Sequence, residues 1–120
     1  MKTKNTILII EDEKSLRSAI VDILRLKGFV PLEAKNGKEG VKLALSKRPD
    51  CILLDLIMPE MDGVTALKKI RESKWGKNVP VIILTNLSNG FVDDPTTHYL
   101  IKSDWKLHDV VRKIEEILER

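Results

Sequence analysis

The sequence has 120 residues and a mass of 13.7 kDa, the size of a single ordinary domain with no room for a second one. Apolar residues make up 42% and charged residues 32%, which excludes disordered and fibrous proteins. The net charge is +3, but the basic residues are dispersed and form no stripe with stacking aromatics, so direct nucleic-acid binding is not expected.

Short apolar runs alternate with helical periodicity along the chain. The runs predict five strands, at residues 6–10, 30–34, 51–54, 79–84 and 99–101. All are far shorter than the roughly 20 residues that a membrane span needs. The single cysteine, Cys51, excludes a disulfide framework and is expected to be a buried, inert thiol. We therefore expect a cytoplasmic chain with no membrane partner.

Helical periodicity fills the segments between these strands, with a final helix near residues 107–118. Gly28 is expected to end the first helix. Asn36 and Glu39 resemble a capping box at the start of the second helix, and Pro49 is expected to stop it. The third helix is expected to begin near Asp62. The residues expected to face the core from the second and third helices are Val41, Ala44, Leu45, Val64, Leu67 and Ile70.

Strands separated by helices predict a parallel sheet with helices on both faces, in which all strands end at one edge. Glu11 and Asp12 directly follow the first strand, and Asp55 follows the third. Thr85 and Lys102 follow the fourth and fifth strands. Ligands of such folds bind at this edge, so these five polar residues are the candidate functional site.

The chemistry of this set favours phosphoryl transfer. Three carboxylates close together repel one another, and a hard cation such as Mg²⁺, which prefers oxygen ligands, relieves the repulsion. A lysine and a threonine hydroxyl suit an anion, and an aspartate can itself be the nucleophile that forms an aspartyl phosphate. The alternative is that the acidic residues only cap helix N-termini, which would account for Asp12 or Glu13 but not for all five residues.

Four segments identify a family. ILIIEDE (residues 7–13), LLDLIMPEMDG (53–63), VIILT (81–85) and YLIK (99–102) resemble the receiver domain of two-component response regulators. The resemblance covers essentially the whole chain. It implies one receiver domain over residues 1–120, with an α/β flavodoxin-like fold: a doubly wound, five-stranded parallel sheet of order 2-1-3-4-5.

The resemblance implies a role for each matching acidic residue. Asp55 would be the phosphoacceptor, taking a phosphoryl group from a sensor histidine kinase, a phosphotransfer protein or a small phosphodonor. Asp12, Asp55 and the backbone carbonyl of Ile57 would bind Mg²⁺ or Mn²⁺. Glu11, where the family more often has Asp, would assist through a water molecule.

The resemblance also implies a switch. Lys102 would pair with the phosphoryl group, Thr85 would hydrogen-bond to it and shift on activation, and Tyr99 would change rotamer with it. These movements would alter the face formed by the fourth and fifth strands and the helices that follow them. The chain would thus catalyse its own phosphorylation and dephosphorylation without being a conventional enzyme.

Three residues around the acceptor depart from the family or tune its chemistry. Ile57 and Leu87 lie two residues after Asp55 and Thr85, at positions that tune hydrolysis in the family. Both are apolar and cannot position a water, which predicts a slowly hydrolysed aspartyl phosphate. Asn86 stands where the family usually has a small residue; it would either narrow access to Asp55 or add a hydrogen bond to the phosphoryl group.

The segment between the fourth and fifth strands is short. Only 13 residues, 86–98, separate Thr85 from Tyr99, and they include Gly90 and Pro95. The helix that the family places there is therefore predicted to be shortened or absent. The exposed side of the two strands would then favour a homodimer or swapped dimer, unless residues 91–92 fold back over it.

Two functions remain open from the sequence. The first is a phosphorylation-dependent switch, which the matched acidic, Thr and Lys residues favour. The second is a receiver-like interaction module that no longer switches, which the short segment after Thr85 favours. A stand-alone phosphatase or nucleotide enzyme is disfavoured because the sequence has no glycine-rich phosphate loop.

Overall fold

The computed structural model describes residues 4–55, 62–85, 96–101 and 106–118, with the backbone alone at Thr85 and Ile101. Within these residues five strands form one parallel sheet of order β2-β1-β3-β4-β5, which confirms the predicted topology. The strands are β1 (Thr6–Ile10), β2 (Val30–Ala34), β3 (Cys51–Asp55), β4 (Val81–Thr85) and β5 (Thr97–Ile101). The helices are α1 (Lys14–Leu26), α2 (Gly37–Lys47), α3 (Gly63–Glu72) and α4 (Leu107–Leu118).

Helices cover both faces of the sheet, and each face has its own apolar core. Alternate residues of every strand point to opposite faces, so the strands divide between the two cores. On one face α1 and α4 pack over Ile7, Ile9, Leu53, Ile82 and Leu84. On the other, α2 and α3 pack over Leu8, Ile10, Ile52, Leu54 and Ile83. The central strands are therefore buried on both sides, as their unbroken apolar runs predict.

The bounds of β4 and β5 differ from the predicted ones. β4 begins two residues later than predicted, at Val81, and β5 begins two residues earlier, at Thr97. Pro80 has no N–H to donate to a neighbouring strand, and only its carbonyl is used, accepting from the amide of Ile52 at 3.0 Å. Strand pairing between β4 and β5 accordingly starts at Val81 opposite Thr97.

Two residues predicted to lie in the core are exposed. Val64 is 61% exposed and Leu45 is 42% exposed. The core face of α3 is formed instead by Gly63, Ala66, Leu67 and Ile70. Val64 lies in the first turn of α3, at the rim of the sheet. On α2 the glycines and Ala44 form the buried face, which turns Leu45 towards solvent.

A close approach explains why α2 has glycine on its buried face. A Cβ atom at Gly40 would lie 2.5 Å from Cδ1 of Ile10, on β1. The helix therefore packs nearer to the sheet than a larger residue would allow. Alanine is the better helix former in isolation, but here the packing against Ile10 outweighs that preference.

The ends of the first two helices agree with the sequence signals. Gly28, with φ of 88°, lies just beyond α1 in the left-handed region that glycine adopts without strain. Asn36 caps α2 by accepting from the amide of Glu39 at 2.8 Å. In a capping box the Glu39 side chain would accept from the amide of the N-cap residue, Asn36. Here it accepts from the amide of the preceding residue, Lys35, at 3.2 Å.

Cys51 gives a prediction about alkaline stability. The thiol is fully buried, and burial raises its pKa from the ordinary 9.0 to about 12. Between these two values the unfolded chain loses the thiol proton while the folded chain keeps it. The free energy of unfolding should therefore fall by about 1.4 kcal/mol per pH unit above pH 9 through this group.

Urea unfolding between pH 8 and 11 measures this slope. A Cys51→Ala variant should be less stable at neutral pH, but its free energy of unfolding should fall less steeply above pH 9. All other titrating groups are the same in the two proteins, so the difference in slope reports Cys51 alone. Equal slopes in the two proteins would contradict the prediction.

The predicted loss or shortening of the helix between β4 and β5 concerns residues 86–95, which lie outside the described residues. The four helices that the structure does describe are all too short or too polar to cross a membrane.

Candidate functional site

Three carboxylates meet where β1 and β3 end. Ile10 is paired with Leu54 in the parallel ladder, so the next residues on the two strands, Glu11 and Asp55, are neighbours at the same edge of the sheet. Asp12 follows Glu11 in the turn that leads into α1. Carboxylate oxygens of Glu11, Asp12 and Asp55 lie within 4.8 Å of one another. The structure thus brings together all three acidic residues that the sequence singled out.

The three carboxylates differ in their exposure. Glu11 and Asp55 are buried, whereas Asp12 is exposed to solvent. Two buried carboxylates beside a third are unfavourable together unless a cation or hydrogen bonds compensate them. The donor set consists only of oxygen atoms, which fits a hard divalent cation such as Mg²⁺. The exposed Asp12 leaves the site open on one side.

Glu11 has a second role in the turn. Its side-chain Oε2 accepts from the amide of Glu13 at 3.0 Å, at the N-cap position of α1. The backbone amide of Glu11 donates to the carbonyl of Ala34 at 3.0 Å, which extends the β1–β2 ladder by one step. The alternative interpretation proposed helix capping by Asp12 or Glu13, but the Glu13 side chain, at the N-cap position of α1, makes no capping hydrogen bond.

The other predicted site residues are only partly described. The backbone places Thr85 at the end of β4, opposite Ile101 at the end of β5. Tyr99 lies opposite Ile83 and is half-buried against the core on the α2 and α3 side. The remaining predicted positions lie outside the described residues: Ile57, Asn86, Leu87 and Lys102.

Sequence reasoning missed two residues beside the site. Arg17 in the first turns of α1 donates from Nη1 to the backbone carbonyl of Glu11 at 2.8 Å. Its Nε lies 3.2 Å from Oε1 of Glu33 on β2. On the sequence Arg17 is one basic residue in an amphipathic helix, and no pattern links it to Glu33, because the two residues meet only when β2 pairs with β1.

At the start of α3, Asp62 is a capping residue. Its Oδ1 accepts from the amide of Thr65 at 2.8 Å. Hydrogen bonds from the backbone and side chain of Thr65 lower the pKa of the Asp62 carboxyl. Among the described residues, the acidic cluster comprises Glu11, Asp12 and Asp55, and Asp62 is not part of it.

A parallel sheet of order 2-1-3-4-5 defines a flavodoxin-like α/β protein. The acidic residues that converge at the carboxyl ends of β1 and β3 place the candidate site at its topological switch point. The chain belongs to the response regulator receiver domain family, whose model matches residues 7–105.

The relatives agree with this assignment. The chain is 36% identical to the transcriptional regulatory protein SrrA of Staphylococcus aureus over 97% of its own length and 48% of that protein. It therefore spans about half the length of the curated relatives it matches. It also resembles the receiver domain of the sensor histidine kinase PA1611 of Pseudomonas aeruginosa, with a TM-score of 0.84 and 28% identity over 98% of this chain and 100% of that one.

That receiver domain holds a magnesium ion coordinated in its active-site cleft. A second similar structure is the chemotaxis protein CheY4 of Vibrio cholerae, with a TM-score of 0.86 over 96% of this chain and 99% of that one. Its sequence identity of 22% shows the shared fold alone.

Proposed function

We propose that this chain is a phosphorylation-dependent signalling switch in which Asp55 accepts a phosphoryl group. The observation that carries the proposal is the cluster of Glu11, Asp12 and Asp55, whose carboxylate oxygens lie within 4.8 Å of one another at the ends of β1 and β3. The family assignment supports the same conclusion. The donor would be a sensor histidine kinase, a phosphotransfer protein or a small phosphodonor.

The metal site follows from the same cluster. Asp12 and Asp55 would bind Mg²⁺, or Mn²⁺ in its place, together with the backbone carbonyl of Ile57, and Glu11 would act through a water molecule. When bound, the cation neutralises the negative charge that builds up between the acceptor carboxylate and the incoming phosphoryl group. The Mg²⁺ in the cleft of the PA1611 receiver domain supports this part of the proposal.

In the transfer step a carboxylate oxygen of Asp55 attacks phosphorus. The new bond is an acyl phosphate, and the bond from phosphorus to the donor breaks, with its electron pair leaving on the donor nitrogen or oxygen. We propose that Lys102 pairs with the transferred group and that Thr85 hydrogen-bonds to it. Two observations support these roles: β4 and β5 end at the edge that holds Asp55, and Thr85 ends β4 while Lys102 follows Ile101, the last residue of β5, in the sequence.

The consequence of transfer would be a change on the face that includes β4, β5 and α4. Tyr99 lies on β5 and packs on the core between the sheet and α2–α3, so a rotamer change there would alter the packing of this edge strand. We propose that this face binds a protein partner and that the chain does so in the cytoplasm, without direct contact to nucleic acid or membrane.

Incubation with a small phosphodonor, followed by intact-mass measurement, tests the proposed function. We expect a covalent adduct of one phosphoryl group per chain when Mg²⁺ is present and none when the cation is chelated. Alkaline hydroxylamine should remove the adduct, because it cleaves acyl phosphates. No adduct at any Mg²⁺ concentration would favour the alternative, an interaction module with the receiver fold that no longer switches.

The lifetime of the adduct is a separate prediction. Ile57 and Leu87 present apolar side chains at the two positions that tune hydrolysis, so neither can orient an attacking water. We expect slow loss of the phosphoryl group in Mg²⁺ buffer, and an Ile57→Asn variant should lose it faster. A short half-life in the unaltered chain, equal to that of the variant, would contradict this explanation.

Self-association is a further element of the proposal. A homodimer, or a dimer that exchanges β5 and α4, would cover the side of β4 and β5 that the predicted short segment between them leaves exposed. Light scattering before and after phosphorylation measures the mass of the assembly. A monomeric mass in both states at high concentration would exclude the dimer and leave a separate protein as the partner.

A further inference from the structure

Arg17 connects three parts of the molecule. It belongs to α1, donates from Nη1 to the carbonyl of Glu11 at 2.8 Å, and its Nε lies 3.2 Å from Oε1 of Glu33 on β2. The Arg17 side chain is only 14% exposed, whereas that of Glu33 is 45% exposed. A guanidinium presents its donors in a rigid planar fork, so binding Glu33 with one nitrogen fixes the direction of the other.

The bond to Glu11 fixes the peptide that joins two of the three clustered residues. The carbonyl of Glu11 belongs to the peptide between Glu11 and Asp12. The amide of Glu11 is already bound to Ala34, and its side chain accepts from the amide of Glu13. The contact with Arg17 therefore holds the remaining polar group of this residue's backbone and limits the rotation of the chain into Asp12.

We propose that Arg17 is a positioning residue for the metal site: held by Glu33, it orients the Glu11–Asp12 peptide so that the carboxylates stay gathered before the cation arrives. The inference rests on the proposed function, because it assigns Arg17 to the Mg²⁺ site of that function. Removing a group that hydrogen-bonds to a metal ligand, without contacting the metal itself, commonly weakens metal binding by roughly tenfold or more.

The sign of the effect separates positioning from simple charge. Arg17 is a cation near the site, so removing its charge would by Coulomb's law alone make Mg²⁺ binding tighter. Loss of positioning has the opposite effect, because the carboxylates that repel one another would then be free to separate. An Arg17→Gln variant thus gives opposite results under the two explanations.

The first measurement is the Mg²⁺ affinity of the whole chain by titration calorimetry. We expect Arg17→Gln to bind Mg²⁺ roughly tenfold more weakly and to need correspondingly more Mg²⁺ for adduct formation. The matched control is Arg25→Gln, which removes one positive charge from the last turn of the same helix. It should bind Mg²⁺ as the unaltered chain does or slightly more tightly. Arg17→Lys keeps the charge without the fork and should weaken binding in the same direction as Arg17→Gln.

The second measurement needs no metal. In the metal-free protein, hydrogen exchange at the amide of Glu11 should be faster in Arg17→Gln than in the unaltered chain, and unchanged in Arg25→Gln. The inference would be overturned if Arg17→Gln exchanged the Glu11 amide at the same rate as the unaltered chain. It would also be overturned if this variant bound Mg²⁺ as tightly as the unaltered chain, or more tightly. Failure of the proposed function gives a different result, because the unaltered chain would then neither bind Mg²⁺ nor form an adduct. The exchange rate of the Glu11 amide would still test whether Arg17 orients the Glu11–Asp12 peptide.

Discussion

Replacing Asp55 by Asn is expected to abolish phosphoryl adduct formation at every Mg²⁺ concentration. The amide keeps the size of the side chain but is a far poorer nucleophile than a carboxylate, and so the acyl phosphate cannot form. Asp55 is buried at the end of β3, and its carboxylate belongs to the three-carboxylate cluster. The substitution therefore removes the proposed acceptor and one proposed metal ligand together. Intact mass after treatment with a small phosphodonor measures the effect.

Two further variants make this result specific. Asp12→Asn removes a proposed metal ligand but leaves the acceptor, so adduct formation should fall and should recover in part when Mg²⁺ is raised. Asp22→Asn, at an exposed carboxylate on α1, should form the adduct as the unaltered chain does. An adduct on Asp55→Asn equal to that on Asp22→Asn would show that another residue is the acceptor.

The largest effect on stability is expected at Arg71, in the last turn of α3. Its Nη1 donates to the carbonyls of Gly76 and Val79, before β4. Its Nη2 donates to the carbonyl of Thr96 at 3.2 Å and to Oγ1 of Thr97 at 2.9 Å. One side chain thus joins the end of α3 to the starts of β4 and β5.

Arg71→Met keeps much of the aliphatic stem and removes all of these donors. Hydrogen bonds to a charged group contribute about 1.5–3 kcal/mol each and are not additive, so we expect a loss of about 3 kcal/mol in the free energy of unfolding. Urea unfolding measures the loss, and Lys69→Met, an exposed position on the same helix, serves as the control. A change in Arg71→Met no larger than in the control would contradict this assignment.

Arg71 also bears on the site at the opposite end of the sheet. The ladder between β4 and β5 begins at Val81 opposite Thr97, and the amide of Val81 donates to the carbonyl of Thr96 at 2.9 Å. The guanidinium holds this starting point. Since the register of a strand is set once along its whole length, the same contact helps to determine which residue of β5 lies opposite Thr85 at the other end of the ladder.

Local patterns predicted most of the elements correctly. Strands buried on both faces read as unbroken apolar runs, so β1 and β3 were identified almost to the residue. The bounds of β2, a partly exposed strand at the edge of the sheet, were also predicted correctly. The bounds of β4 and β5 were less accurate, because residue type does not show where a partner strand begins. Val79 has a high β-propensity but precedes β4, and the polar Thr97 begins β5 because it pairs with Val81. Val64 was wrongly assigned to the core for a related reason: periodicity gives the face of a helix but not how far the opposing layer extends.

The sequence by itself determined the parallel α/β fold and the meeting of Glu11, Asp12 and Asp55. Right-handed connections carry every strand of such a sheet in the same direction, and residues just after the strands must then converge at one edge. The tertiary structure alone decided how the two ends of the sheet are held. Arg17 contacts Glu33 across 16 residues, and Arg71 reaches Thr97 across 26. Such contacts depend on distances between separate elements, which neither periodicity nor a local motif contains.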